Sequence, residues 1–229
     1  MRSSAFAILC SAALAACQPE SLSRPEAEEP RTDAAARAAG TVYGIDAPQT
    51  DIRILVFRAG PLARLGHNHV ISAGEVDGTV IVHPQLKRSV FELRIPVDSL
   101  RVDDPAQRRE EGVDFSTEPT DADVAGTRRN LLGERVLDSS RFPTVTVAGR
   151  LITAGDSPSA RVSIRVKGRS TERAVPVALV LEEHRLRVSG TFELSHEELG
   201  LTPFSALLGA LQVAENLTLK FDVTALAPE

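Results

Sequence analysis

Val175-Pro176-Val177-Ala178-Leu179-Val180-Leu181-Glu182-Glu183-His184-Arg185-Leu186-Arg187-Val188-Ser189-Gly190-Thr191-Phe192-Glu193-Leu194 reads as two alternating runs joined by one tight reversal. In the first, Val175, Val177, Leu179 and Leu181 fall on every second position; in the second, Leu186, Val188, Gly190, Phe192 and Leu194 do the same. Successive side chains of a strand point to opposite faces, so a period of two marks a strand with one face turned to a core. Glu183-His184 lies between the runs and predicts an antiparallel hairpin, since so short a connection joins only antiparallel neighbours.

The period extends outward in both directions. Towards the N-terminus it returns at Val162, Ile164 and Val166, with Arg161, Ser163, Arg165 and Lys167 on the other face, and before that at Val145 and Val147. It recurs at Phe91, Leu93, Ile95 and Val97 against Glu92 and Arg94, and at Val76, Gly78, Val80 and Val82 against Glu75, Asp77 and Thr79. Towards the C-terminus, Leu217, Leu219, Phe221 and Val223 complete it. Residues 51–57 and a short strand near Val42 bring the number to eight or nine. Ala154-Gly155-Asp156-Ser157-Pro158 predicts a longer turn, and Pro96 an edge or a bulge, because proline cannot donate to a ladder. Two stretches break the pattern: 122–137, with Val124, Leu131, Leu132 and Val136 near helical spacing, and 203–211, a short apolar helix or turn. The expected fold is all-β, an antiparallel eight-stranded barrel with one or two short helical insertions.

The interior of such a barrel is either filled by side chains or wide enough for one small ligand. The residues predicted to line it are Val80, Val82, Phe91, Leu93 and Ile95, then Val145, Val147, Ile164 and Val166, then Leu179, Val188, Phe192, Leu219 and Phe221. Most are of medium size, and the chain is only 4% aromatic, with no Trp and one Tyr. Linings of that size leave space at the axis, and an apolar void forfeits dispersion contacts that an apolar guest restores. The alternative is a solid core, plugged at its ends by the helical insertions.

The order of the segments resembles the YceI-like family of lipid- and polyisoprenoid-binding proteins, over about Tyr43 to Val223. The resemblance rests on Tyr43-Gly44-Ile45-Asp46, on Gly74 to Val82, and on Ile95-Pro96-Val97-Asp98-Ser99-Leu100. It continues in Leu137-Asp138-Ser139-Ser140-Arg141-Phe142-Pro143, in Gly168 with Val175-Pro176-Val177, and in Leu199-Gly200-Leu201. It implies a lipocalin-like barrel holding a long isoprenoid chain or other lipid, without catalytic residues. Two departures stand out: 104–122 is longer and more acidic than the family pattern, and Gly168 to Pro176 differs at one turn.

The N-terminus points to the envelope. Arg2 precedes an apolar run from Ala5 to Ala16, too short for a permanent membrane span but suited to a signal peptide. Leu14-Ala15-Ala16-Cys17 looks like a lipobox, so residues 1–16 are expected to be a lipoprotein signal peptide, with Cys17 acylated. Residues 17–40, rich in Pro, Glu, Ala and Arg, form a tether without apolar period, and 41–229 form the barrel domain. Gln18 in place of Asp leans towards the outer membrane. Cys10 and Cys17 are the only cysteines, so the processed domain would have no thiol for a disulfide, a cluster or a nucleophile. A net charge of −5 with interspersed signs gives no basic stripe for nucleic acid.

Among polar motifs, Gly66-His67-Asn68-His69 has ligand-like spacing. Two His at i and i+2 on an extended segment share a side and permit zinc or copper chelation, though two ligands alone are few. The readings are a rim or head-group role, or a metal-binding protein or metalloenzyme using His67 and His69. His196-Glu197-Glu198 lacks the second His of a zincin motif, and no nucleophile elbow, phosphate loop or dinucleotide fingerprint occurs. Asp103-Asp104 and Glu110-Glu111 read as a solvated loop. The expectation is a non-enzymatic envelope lipoprotein, with no cofactor, that carries or stores an elongated apolar ligand.

Overall fold

A computed structural model describes residues 39–228; the segment read as a signal peptide, Cys17 and most of the tether lie outside the described residues. The chain first forms β1 (Thr41–Ile45), β2 (Asp51–Ala59), β3 (His69–Ser72), β4 (Asp77–Val82), β5 (Val90–Pro96) and β6 (Arg101–Val102). Two helices follow, α1 (Pro105–Glu110) and α2 (Asp121–Leu132). The rest is β7 (Thr144–Thr153), β8 (Ser159–Val166), β9 (Arg169–Pro176), β10 (Ala178–Leu181), β11 (Arg185–Ser195), β12 (Ser205–Ala206) and β13 (Leu211–Leu226). All ladders are antiparallel. They follow the order β6-β3-β2-β13-β1-β4-β5-β7-β8-β9, with β11 and β10 on the second flank of β13.

The all-β antiparallel class is as expected, but the count and the closure differ. The sheet has 13 strands rather than eight, because loops beside the long strands pair briefly as β3, β6 and β12, and the run from Val175 to Leu181 is divided between β9 and β10. Strand β13 is 16 residues long and serves two neighbours on one flank, β2 and then β1. Among the described residues the sheet also does not close by a backbone ladder. Between β9 and β11 the link is a side chain: Arg173 Nη1 donates to the Glu193 carbonyl at 2.6 Å and to the Glu198 carboxylate at 3.3 Å.

The run from Val175 to Leu181, expected to be one strand, changes partner in its middle. Up to Pro176 it pairs with β8; from Ala178 it pairs with β11. Pro176 has no N–H to continue a ladder, and the Val177 N–H is taken by the Pro158 carbonyl at 3.0 Å. Pro96 ends β5 opposite Thr144, beyond Arg94, the last β5 residue paired with β4, so its missing donor costs no bond there. The β8–β9 connection is a two-residue turn with Lys167 and Gly168 both at positive φ, the type I′ pattern that suits twisted hairpins.

Helix α2 confirms the first helical insertion. Its Thr120–Asp123 capping box fixes its start, and the Arg128 guanidinium ties it to the Asp98 carbonyl at 2.6 Å and to the Leu100 carbonyl. Of the two readings of the second insertion, helix or turn, the turn holds: Ser205 and Ala206 pair with β13 around it, and Leu208 and Gly209 have positive φ. The acidic stretch 104–122 is likewise ordered rather than a solvated loop. Asp104 caps α1 through the Ala106 and Gln107 N–H groups at 2.9 and 3.1 Å, and the buried Glu111 carboxylate bridges Arg53 and Lys220 at 3.0 and 2.7 Å. Phe115, just after α1, packs with Leu55 and Val70 on the outer face of β2 and β3.

Candidate functional site

The inner face of the sheet encloses a cavity of about 250 Å³. Of the residues predicted to line an interior, Val80, Phe91, Leu93, Ile95, Val145, Val147, Ile164, Val166, Val188, Phe192, Leu219 and Phe221 line this cavity. Val82 and Leu179 line a smaller one of about 60 Å³, which shares Val80, Phe91, Ala160, Val177 and Val188 with the first. The two follow β11 and the residue after it, from Leu186 to His196, a length of about 33 Å at 3.3 Å per residue. The core is therefore not solid. Ile54, Val145, Val147, Val188, Phe192, Leu219 and Phe221 all point inward yet are only half-buried, because they face this space.

Two close approaches keep the axis open. Phe91 lies opposite Gly149 across β5 and β7, and Phe221 opposite Gly190 across β13 and β11. A Cβ on Gly149 would stand 2.9 Å from the Phe91 ring, and one on Gly190 would stand 2.7 Å from the Phe221 ring. Both rings thus lie against the wall where a bare backbone leaves room for them.

Among the described residues the larger cavity is lined by one polar side chain, His196 at its end, whose Nδ1 donates to the Glu215 carbonyl at 2.8 Å. Ordered water needs two to four polar partners, so this space suits apolar matter far better than water. Sequence reasoning missed several lining residues. Ile52, Ile54 and Val56 of β2 were obscured because Leu55 and Phe57, on the opposite face, are apolar too and are covered by Phe115. Leu131, Val136 and Leu137, from α2 and the segment after it, also border the cavity. Their near-helical spacing was visible; their destination was not.

At one end of the same sheet face stands a polar cluster. His69 lies opposite Val56, and both Val56 and Ile71 line the cavity. His67 and His69 come together as their spacing predicts, with ring centres 4.6 Å apart. A third member was not foreseen. Asp103, read as loop, has a fully buried side chain and accepts from His69 Nδ1 at 2.7 Å and from the Val70 N–H at 2.9 Å. The buried Arg108 guanidinium also donates to it, and further to the Asn68 carbonyl at 2.6 Å and the Thr117 carbonyl at 2.7 Å. Burial alone would raise the Asp103 pKa, but the hydrogen bond and charge of His69, with the Val70 and Arg108 donors, hold the carboxyl below its ordinary range. Burial, and then the neighbouring His69, push the His67 pKa down. Only a signal linking residue 69 to residue 103, 34 positions away, could have revealed this cluster.

An antiparallel sheet curled about an apolar interior defines a class of β proteins whose inner face is open to a guest. The sequence profile of the YceI-like domain matches residues 43–225, and the chain belongs to this family. No curated protein matches the sequence. Among solved structures, Burkholderia cenocepacia BcnA is similar with a TM-score of 0.57 and 13% identity, over 79% of this chain and 99% of that one. A Campylobacter jejuni YCEI protein is similar with a TM-score of 0.49 and 8% identity, over 69% of this chain and 85% of that one. At these identities the likeness to BcnA concerns the fold alone.

Proposed function

We propose that this chain is a non-enzymatic envelope lipoprotein that binds an elongated apolar molecule, a polyisoprenoid or another lipid, as carrier or store. The observation that carries the reading is the cavity of about 250 Å³ with a lining apolar throughout except for His196. Its extension along β11 suits a chain rather than a compact ligand, and the bordering residues of α2 suit a cap at one end. The Cys17 lipobox supports anchoring facing the periplasm, with Gln18 favouring the outer membrane. Two or more acyl chains are enough for stable attachment.

The test is extraction of protein purified from its native host, with mass spectrometry of the organic phase. A stoichiometric long-chain apolar species is expected; repeated absence of one would overturn the reading. For the anchor, labelled fatty acid should enter the wild-type chain and not Cys17→Ala. Equal labelling of the two would refute acylation at Cys17.

A further inference from the structure

We propose that His67 and His69 form a binding site for a late first-row divalent cation, copper(II) or zinc(II), with Asp103 as the residue that orients His69. One donor atom from each of His67, His69 and Asp103 lies within 4.8 Å of the others, and His69 shares the face of the sheet that continues into the cavity wall. A carboxylate can only accept, so its contact at 2.7 Å places the proton of the neutral His69 ring on Nδ1 and leaves the lone pair on Nε2. This is the carboxylate–histidine arrangement that fixes ring orientation and tautomer in metal sites.

The second imidazole is the one with an unmet requirement. His67 Nε2 is buried and has no hydrogen-bond partner among the described residues, a state that ordinarily costs free energy and that a metal–nitrogen bond would relieve. Asp103 is committed on its other oxygen to Arg108 and to the Val70 N–H, which keeps it behind His69 rather than in the coordination sphere. Two imidazoles without thiolate favour copper(II) or zinc(II) over calcium or magnesium, which prefer oxygen. Metal–nitrogen bonds of about 2.0–2.1 Å bring tetrahedral ligand nitrogens to about 3.3 Å from one another, so with His69 held by Asp103 and the ring centres 4.6 Å apart, the His67 ring is the one that turns to complete the pair. The remaining coordination positions stay open.

Neither His67 nor His69 lines the apolar cavity. The full chain, stripped by chelator, is titrated with copper(II) and followed by calorimetry and electron paramagnetic resonance, with zinc(II) as competitor. One equivalent is expected, with splitting from two imidazole nitrogens that distinguishes it from thiolate binding at Cys10 or Cys17. His67→Ala and His69→Gln should each weaken binding at least tenfold and remove one nitrogen from the spectrum. Asp103→Asn should weaken it about 10–100-fold while keeping both nitrogens. His67→Ala removes no hydrogen bond at Nε2 and should fold as the wild type does, so it carries the test if Asp103→Asn does not fold. Absence of one-to-one binding, or a spectrum and affinity unchanged in both His variants, would overturn the proposal. Extractable lipid, measured on the same samples, should be unaltered by His67→Ala, so failure of the metal site and failure of the lipid reading are told apart.

Discussion

Replacing Val147 by Phe tests whether the interior is hollow, through the sign of a stability change. Val147 lies mid-wall, opposite Leu93 on β5 and Ile164 on β8, and all three line the cavity. Phe adds about four carbons, which at about 0.8 kcal/mol per buried methylene sets an upper bound near 3 kcal/mol. Filling about 50 Å³ of void at about 24 cal/mol per Å³ gives roughly 1.2 kcal/mol. The delipidated variant should therefore gain about 1–3 kcal/mol, or roughly 2–12 °C in melting temperature for a domain of this size. In a filled core the same change would cost about 1–3 kcal/mol through strained rotamers. The assay is thermal unfolding of delipidated wild type and Val147→Phe, paired with lipid extraction from natively purified samples. A higher melting temperature with less bound lipid is expected. A lower one, with lipid content unchanged, would refute the reasoning.

Three other outcomes follow from particular contacts. Gly190→Ala places a Cβ 2.7 Å from the Phe221 ring and should drive that ring towards the axis, lowering both stability and lipid content; a crystal structure with Phe221 unmoved would contradict this. Arg108→Ala leaves the buried Asp103 carboxylate without its guanidinium and should destabilise by about 3–5 kcal/mol, measured by urea unfolding; a change below about 1 kcal/mol would show that the pair contributes little. Asp222 is held below its ordinary pKa by its hydrogen bond to Arg187 on β11, so its contribution is present above the ordinary value of 3.8 and lost as pH falls through the lower folded value. The stability gap between wild type and Asp222→Asn should accordingly be constant near neutral pH and close in acid; a gap that widens in acid would reverse the assignment.

Much of the fold was legible because a half-buried strand writes its period into the sequence. Each predicted lining position, from Val80 to Phe221, was read from alternation alone, and each borders one of the two cavities. The legible part ended where both faces of a strand are covered. In β2 the outer Leu55 and Phe57 are as apolar as the inner Ile54 and Val56, since the turn after α1 covers them. It ended also where a strand changes partner, as at Pro176 and Val177, because alternation continues unbroken through the switch.

From the residues alone came the long strands, most of their inward faces, the α2 insertion and the proximity of His67 to His69, since all depend on neighbours within a few positions along the chain. Tertiary structure decided the rest: that β9 and β11 meet through Arg173 instead of a ladder, that the Phe91 and Phe221 rings lie against Gly149 and Gly190, and that Asp103 stands behind His69. These are pairings between residues that are distant in sequence, and such pairings are chosen by the packing of the whole sheet. A local period carries no record of them.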